Sequence, residues 1–249
     1  MHILLNETYH HLEDYIKQLP DVFETSGKTI YTGRNLIKVF TAPDGTQINV
    51  KRYHAPRGIN ALVYSWGIRQ PKGHRAYEYP KTLLEKGIDT PEAIAYIERR
   101  SGGLLRESYL VTRQCPYRHT MYEMGDAPAG SYERVAEAFA RYTARMHEAG
   151  VMHLDYSPGN ILWQEEEGKY DFSIVDINRM RFGSVDMRQG CTNLKRLWGP
   201  KRFFELVVKG YAEARGFDTE AAERIALAER ARFWKRFGKK HPIKFKLEL

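Results

Sequence analysis

Residues 153–162, HLDYSPGNIL, set Asp155 five positions ahead of Asn160 across a Ser-Pro-Gly turn, and Asp176 follows sixteen residues later in SIVDIN. Outward from that turn, Ile161-Leu162-Trp163 and Phe172-Ser173-Ile174-Val175 read as two short strands, and the EEEGK between them reads as a turn. The arrangement predicts Asn160 and Asp176 at strand edges facing one cleft, with Asp155 on the turn beside them. A purely structural alternative has Asp155 and Asn160 cap a tight turn while Asp176 merely ends a strand.

Two carboxylates and an amide in this pattern suit phosphoryl transfer. That reaction needs an acceptor hydroxyl in line with the γ-phosphate and divalent metal to offset charge on the phosphate oxygens. Asp155 would orient the hydroxyl and take its proton, and Asn160 with Asp176 would hold Mg²⁺. Magnesium prefers hard oxygen ligands and keeps several waters, so one carboxylate and one amide suffice when ATP oxygens complete the shell. The spacing D-x-x-x-x-N is that of the kinase catalytic loop, with Asp176 where the metal-binding aspartate of D-F-G stands.

Bulk properties frame this reading. The chain has 249 residues, 42% apolar and 28% charged, which describes a soluble globular protein with room for two small lobes. No run approaches the ~18 consecutive apolar residues of a membrane span. Acidic residues enter MHILLNETYHHLEDY too early for a signal peptide, so a cytoplasmic location is expected. Cys115 and Cys191 lie far apart with no CxxC pattern, which favours free thiols over a disulfide or zinc site. The net charge of +8 favours polyanions or an anionic membrane surface. Residues 232–246, RFWKRFGKKHPIKFK, hold seven basic residues and no acidic one, interleaved with Phe233, Trp234, Phe237 and Phe245. Aromatics beside cations suit a headgroup interface or an acidic glycolipid, and nucleic acid could use the same chemistry. A solvated last helix with a frayed tail is the alternative.

Along the chain, periodicity predicts a helix over 9–19 ended by Pro20. Strands follow at 29–31, 36–40 and 47–53, the last two joined by an Asp44-Gly45 hairpin signal. A helix over 76–86 stops at Gly87, and extended runs at 93–97 and 108–112 complete a five-stranded sheet. Beyond about residue 115 the pattern turns mostly helical. Lys51, in INVKRYH, is on the third strand, and Glu78 is on the first turns of the next helix. That order suits a lysine that contacts the α- and β-phosphates and is held extended by a carboxylate. A surface lysine and a first-turn glutamate complementing the helix dipole are the plain alternatives. Lys38 is a fallback for Lys51.

The chain resembles the bacterial lipopolysaccharide kinases. The resemblance is carried by RAYEY at 75–79, LLEKGIDTPEAIAYIE at 83–98, MHEAGVMHLDYSPGNIL at 146–162 and VDINRMRFG at 175–183, with TGRNLIKVF and VKRYH earlier. It implies an α+β, protein-kinase-like two-lobed fold, with the small antiparallel-sheet lobe over 1–115 and a mostly helical lobe over 116–249. It also implies ATP and Mg²⁺ as cofactors and an acceptor hydroxyl on Kdo or heptose of the lipopolysaccharide inner core, an anionic glycolipid. Lys51 and Glu78 would anchor ATP, Asp155 would be the base, and Asn160 and Asp176 the metal ligands. The enzyme would act in the cytoplasm, peripheral to the inner face of the inner membrane, with the basic C-terminus against anionic lipid and no nucleic-acid partner.

Several positions depart from the kinase pattern. No G-x-G-x-x-G precedes Lys51; Gly33 is followed by Arg34-Asn35, so Arg34 or backbone amides of that turn would grip the phosphates. Leu154 replaces the Arg of H-R-D, Ile177-Asn178 replaces Phe-Gly, no A-P-E follows, and Asn49 stands where a small apolar residue touches adenine. These changes argue against a protein kinase regulated through a phosphorylated activation loop. His153 and His147 read as structural, whereas Arg179 and Arg181 stand where an anionic acceptor or the transferring phosphate could be met. Two other readings stay open. One is a phosphotransferase acting on another small molecule, although enzymes with cationic acceptors surround them with acidic residues. The other is a nucleotide-binding scaffold, which would ordinarily have lost the lysine, the base or a metal ligand.

Overall fold

A computed structural model describes residues 1–33, 35–55, 70–243, 245 and 247–249. The chain divides into two compact units, Met1–Pro116 and Tyr117–Leu249.

The first unit is built on six strands: β1 (His2–Leu5), β2 (Lys28–Thr32), β3 (Leu36–Thr41), β4 (Gln47–Tyr53), β5 (Ala93–Ser101) and β6 (Leu104–Arg113). Every pairing is antiparallel, in the order β1-β5-β6-β4-β3-β2. The sequence pattern predicts five strands; the sixth, β1, is an edge strand of four residues, HILL, too short to display a period of two. The last two strands also run further than expected. They meet at Gly102-Gly103, whose φ values of +57° and +75° form the tight turn that matches strand twist.

Helix α1 (Glu13–Val22) differs from the predicted span in both bounds. Residues Glu7–Leu12 form a 3₁₀ turn kinked at Tyr9, and α1 runs through Pro20 rather than stopping there. Packing of Ile16, Leu19, Pro20 and Phe23 into the core outweighs the helix bond that proline cannot make. Ile16, Leu19 and Phe23 join Ile48, Val50, Ile94 and Val111 in one apolar cluster. Because strand side chains alternate, Lys51 faces the opposite side from Val50, the side of Tyr53 and Leu110. There helix α2 (Lys72–Glu85) packs through Ala76 and Tyr77. A Cβ on Gly73 would come within 2.5 Å of the Tyr96 ring, so only glycine permits this approach. The helix ends where predicted: Gly87, at φ +70°, donates to Leu84 O, and Ile88 donates to Leu83 O.

Lys38 has a structural task. The residue is 6% exposed, and its Nζ donates to the carbonyls of Phe23, Glu24 and Ser26 at 2.6, 3.0 and 3.0 Å, using all three ammonium protons on the chain leaving α1.

In the second unit, β9 (Ile161–Glu166) lies between β10 (Lys169–Ile174) and β7 (His119–Thr120), and β8 (Val151–His153) pairs with β11 (Met180–Phe182). Helix α3 (Glu133–Glu148) buries Val135, Phe139 and Met146 and packs on α5 (Lys201–Ala214), where Gly210 approaches Ala140. The short α4 (Met187–Asn193) and the long α6 (Thr219–Gly238) complete the unit.

The basic C-terminal segment turns its rings inward. Trp234 and Phe245 both pack on Trp198, with ring centroids 6.2 and 4.2 Å away, and Phe233 and Phe237 pack on Trp234. Arg232, Lys235, Arg236, Lys239 and Lys240 stay exposed. The tail is held as well. Arg230, fully buried, donates to the carbonyls of Leu197, Gly199 and Glu248, and Leu247 bridges to Gly199. The frayed-tail alternative does not describe these residues. Among the described residues no helix is long and apolar enough to cross a membrane, and both cysteines are free thiols.

Replacing Lys38 by methionine leaves the carbonyls after α1 without their donor, and we expect a loss of roughly 2–4 kcal/mol of stability. Urea unfolding followed by circular dichroism checks this; a change below about 0.5 kcal/mol, the size of an ordinary surface substitution, would contradict the assigned role.

Candidate active site

The site is assembled by a hairpin, β9–β10, and by the antiparallel pair β8–β11 that brackets it in sequence. Strands β9 and β10 pair from Ile161↔Ile174 to Lys169↔Glu166. Their turn is Glu167-Gly168, at φ +51° and +79°, a two-residue connection that suits strand twist. Beyond the last ladder pair, Val175 N–H donates to Asn160 O at 3.0 Å, which fixes Asn160 against the residue preceding Asp176. Strands β8 and β11 pair His153 with Met180, and Leu154 N–H donates to Arg179 O at 2.8 Å. Asp155 begins the turn that joins β8 to the β9–β10 hairpin.

His153 locks the two together. Its Nδ1 accepts from the Asp155 N–H at 3.0 Å, so the proton is on Nε2, which donates to Val175 O at 3.0 Å. Asn160 Nδ2 donates to Asp155 O at 2.9 Å, closing the turn from the other side. Asp176 has a left-handed backbone, φ +54°, and Asn178 Nδ2 donates to its Oδ1 at 2.6 Å. An aspartate tolerates that conformation better than most residues, and such strain persists where the surroundings over-determine it. Asp155 and Asn160 are thus joined by a direct hydrogen bond, and Asp176 is brought beside them through the bonds of the preceding Val175 to Asn160 and His153.

A buried polar chain supports this region from behind. Asn193 Nδ2 donates to His153 O at 2.9 Å, and Asn193 Oδ1 faces His147 Nε2 at 3.2 Å. His147 therefore carries its proton on Nε2 and accepts at Nδ1 from the Tyr211 hydroxyl at 2.9 Å, which accepts in turn from Arg215 at 3.0 Å. Both imidazoles are held neutral. Burial lowers the pKa of His153, only partly offset by its bond to Val175 O and by the charges of Asp176 and Asp155. Burial likewise brings His147 down to about 4, against the bond to Asn193.

The Asp155 carboxylate meets two arginines: Arg196 Nη1 lies 3.0 Å from Oδ1 and Arg179 Nη1 lies 3.8 Å from Oδ2. Arg196 is steadied over the Phe233 ring, 5.1 Å from its centroid. Of the two arginines singled out in the sequence, Arg179 reaches the site. Arg181 instead donates to Ser184 O and Gln189 Oε1 at 2.9 and 2.8 Å. Arg196 carries no local signal, since Lys195-Arg196 reads as any exposed basic pair. Tyr156, next to Asp155 in the loop, is fully buried, stacked on Phe139 with its hydroxyl 3.0 Å from Thr143.

In the first unit, Lys51 Nζ lies 5.2 Å over the Tyr53 ring. The Glu78 carboxylate faces His74 Nδ1 one helical turn back, at 3.5 Å, close enough for an ion pair when that ring is protonated. Arg34 lies outside the described residues. Among the described residues no three His, Cys, Asp or Glu side chains converge as a metal cage, so a cation here would need oxygen ligands from an amide, solvent or nucleotide.

The sequence profile described as lipopolysaccharide kinase (Kdo/WaaP) family matches residues 26–215, most of the chain. The chain belongs to this family. It is accordingly a phosphotransferase with a hydroxyl acceptor, in a family of lipopolysaccharide biosynthesis. No curated protein matches the sequence. Among solved structures, WaaP in complex with acyl carrier protein is 19% identical, with TM-score 0.59 over 96% of this chain and 99% of that one. An amicoumacin kinase bound to AMP-PNP, Ca²⁺ and its antibiotic is 12% identical, with TM-score 0.56 over 94% of each chain. The Rio2 kinase of Chaetomium thermophilum, in an ADP/Mg²⁺-phosphoaspartate complex, is 15% identical, with TM-score 0.54 over 91% of this chain and 76% of that one. These likenesses establish the protein-kinase-like α+β fold for this lipopolysaccharide kinase family member.

A pH dependence follows from His147. Its folded pKa of about 4 lies below the ordinary imidazole value, so between those pH values the unfolded chain binds more protons. Stability from the neutral ring is present above about pH 6.5 and is lost as pH falls towards 4, a total on the order of 2–3 kcal/mol. His147→Gln keeps a donor and an acceptor but does not titrate. Urea unfolding at pH 7.5 and 5.0 should show a smaller acid loss in this variant; equal losses would contradict the assignment.

Proposed function

We propose that this protein transfers the γ-phosphoryl group of ATP, with Mg²⁺, to a hydroxyl of Kdo or heptose in the lipopolysaccharide inner core. The observation that carries the reading is the gathering of Asp155, Asn160 and Asp176 around neutral His153. In this reaction the acceptor oxygen forms a bond to the γ-phosphorus, the bond to the β,γ-bridging oxygen breaks, and ADP leaves with that electron pair. The acceptor proton passes to the Asp155 carboxylate.

The residues fit a magnesium ion. Asn160 commits Nδ2 to the Asp155 carbonyl, which leaves Oδ1, the atom a hard cation takes, and Asp176 supplies a carboxylate oriented by Asn178. When bound, the ion would offset charge on the phosphate oxygens. In the first unit, Lys51 and Glu78 are proposed as the nucleotide-anchoring pair. Their support is the position of Lys51 on the sheet face that carries α2.

Cations around Asp155 favour an anionic acceptor over the cationic substrates of aminoglycoside-type enzymes. A binding-only scaffold is disfavoured because the base and both oxygen donors are present and held by hydrogen bonds. Work on a glycolipid would take place at the cytoplasmic face of the membrane, where the exposed cations of α6 suit anionic lipid. The rings beside them are engaged with Trp198 and Trp234, so the contact would be electrostatic rather than insertion of aromatics.

The test is transfer of label from γ-labelled ATP, with Mg²⁺, into deacylated core oligosaccharides. Wild-type protein should label a Kdo- or heptose-containing acceptor. Asp155→Asn should lower the rate by at least about a hundredfold, the scale of a lost general base. Transfer to no glycan by wild type, or full activity in Asp155→Asn, would overturn the reading.

A further inference from the structure

Next to Asp155 lies a cavity of about 300 Å³, lined by Leu154, Arg188, Thr192, Asn193, Lys195 and Arg196. The volume is at the lower end of small-ligand sites, enough for one sugar unit. Its charge is uneven. Three cations line it, and the carboxylates that meet them are Asp155, 3.0 Å from Arg196, and Glu229, 4.0 Å from Arg188. Glu229 also binds Arg232 at 2.6 Å, and Asp155 is shared with Arg179, so each carboxylate serves two cations. Lys195 makes no ion pair with another described residue. The pocket therefore presents net positive charge on the flank of the proposed base.

We infer that this cavity is an acceptor subsite for an anionic sugar substituent, a carboxylate or a phosphate, and that filling it draws Arg196 off Asp155. The inference rests on the reading of Asp155 as the base. In the free protein Arg196 Nη1 lies 3.0 Å from Oδ1 of the carboxylate that must accept a hydroxyl proton, so that oxygen is engaged by the guanidinium. An anion bound between Arg188, Lys195 and Arg196 competes for the same guanidinium, which offers five donors and takes oxyanions bidentately. Asp155 then loses a cation as the acceptor arrives. A neutral sugar of the same shape gains nothing from Lys195 and leaves the Arg196–Asp155 pair intact. Selection of anionic acceptors and release of the base would be one event.

Calorimetric titration tests this apart from catalysis, with free Kdo, its carboxyl-reduced analogue and inorganic phosphate as probes. Kdo should bind at least about tenfold more tightly than the reduced sugar, and Lys195→Ala should remove most of that difference. Asp155→Asn removes the competitor for Arg196 and should tighten Kdo binding at least about threefold while leaving the reduced sugar unchanged. Kdo displaced by millimolar phosphate would assign the subsite to a phosphate substituent as well as a carboxylate; Kdo binding without such displacement would assign it to the carboxylate alone. Equal binding of Kdo and the reduced sugar, or Kdo affinity unchanged or weakened in Asp155→Asn, would overturn the inference. Label transfer by Asp155→Asn is measured in parallel: if this variant is active while Kdo binding tightens, the base reading fails and the subsite stands.

Discussion

A neutral imidazole bonded on both edges by backbone, Nδ1 to the Asp155 amide and Nε2 to the Val175 carbonyl, is the constraint from which the rest of the site follows. Each bond alone is an ordinary hydrogen bond of about 1 kcal/mol. Together they tie the turn after β8 to the end of β10, so the β9–β10 hairpin and the β8–β11 pair cannot separate without stranding buried polar groups. A protonated ring would have to donate at Nδ1 towards an N–H, which cannot accept. Burial that keeps the ring neutral is therefore a condition of the geometry. The Asn193–His147–Tyr211–Arg215 chain extends that condition into the helices, each donor meeting an acceptor.

Charge is handled differently in front of the loop and behind it. Behind, polarity is satisfied without net charge until Arg215 is reached near the surface. In front, the Asp155 carboxylate is shared by Arg179 and Arg196, and Arg188 and Lys195 add more positive potential. Neutral support fixes position independently of what binds, whereas the frontal ion pairs can be exchanged for an incoming anion. An excess of eight positive charges over the chain gives long-range attraction for the same class of ligand.

The parts legible in the sequence are those decided by local chemistry. The β9–β10 hairpin is announced by Glu167-Gly168 between two apolar runs, and it brings Asn160 beside the residue before Asp176. The end of α2 is written in Gly87. Less legible are features made by distant partners. Strand β1 exists because His2–Leu5 pairs with a strand ninety residues on, and α1 passes Pro20 because the core behind it is well filled. Lys38 reads as a possible phosphate contact until the three carbonyls leaving α1 surround it. Arg196 meets Asp155 across forty-one residues, and nothing in its own segment signals that contact. Trp234 of α6 and Phe245 beyond it pack on Trp198, a contact that nothing in their own segment signals.

The central claim is that His153 is a neutral Nε2–H imidazole that holds the loop. Long-range ¹H–¹⁵N correlation of its ring nitrogens from pH 5 to 8 tests it directly. One tautomer is expected, protonated at Nε2, with shifts that do not titrate over that range. A ring protonated at Nδ1, or one that titrates near the ordinary imidazole value, would contradict it.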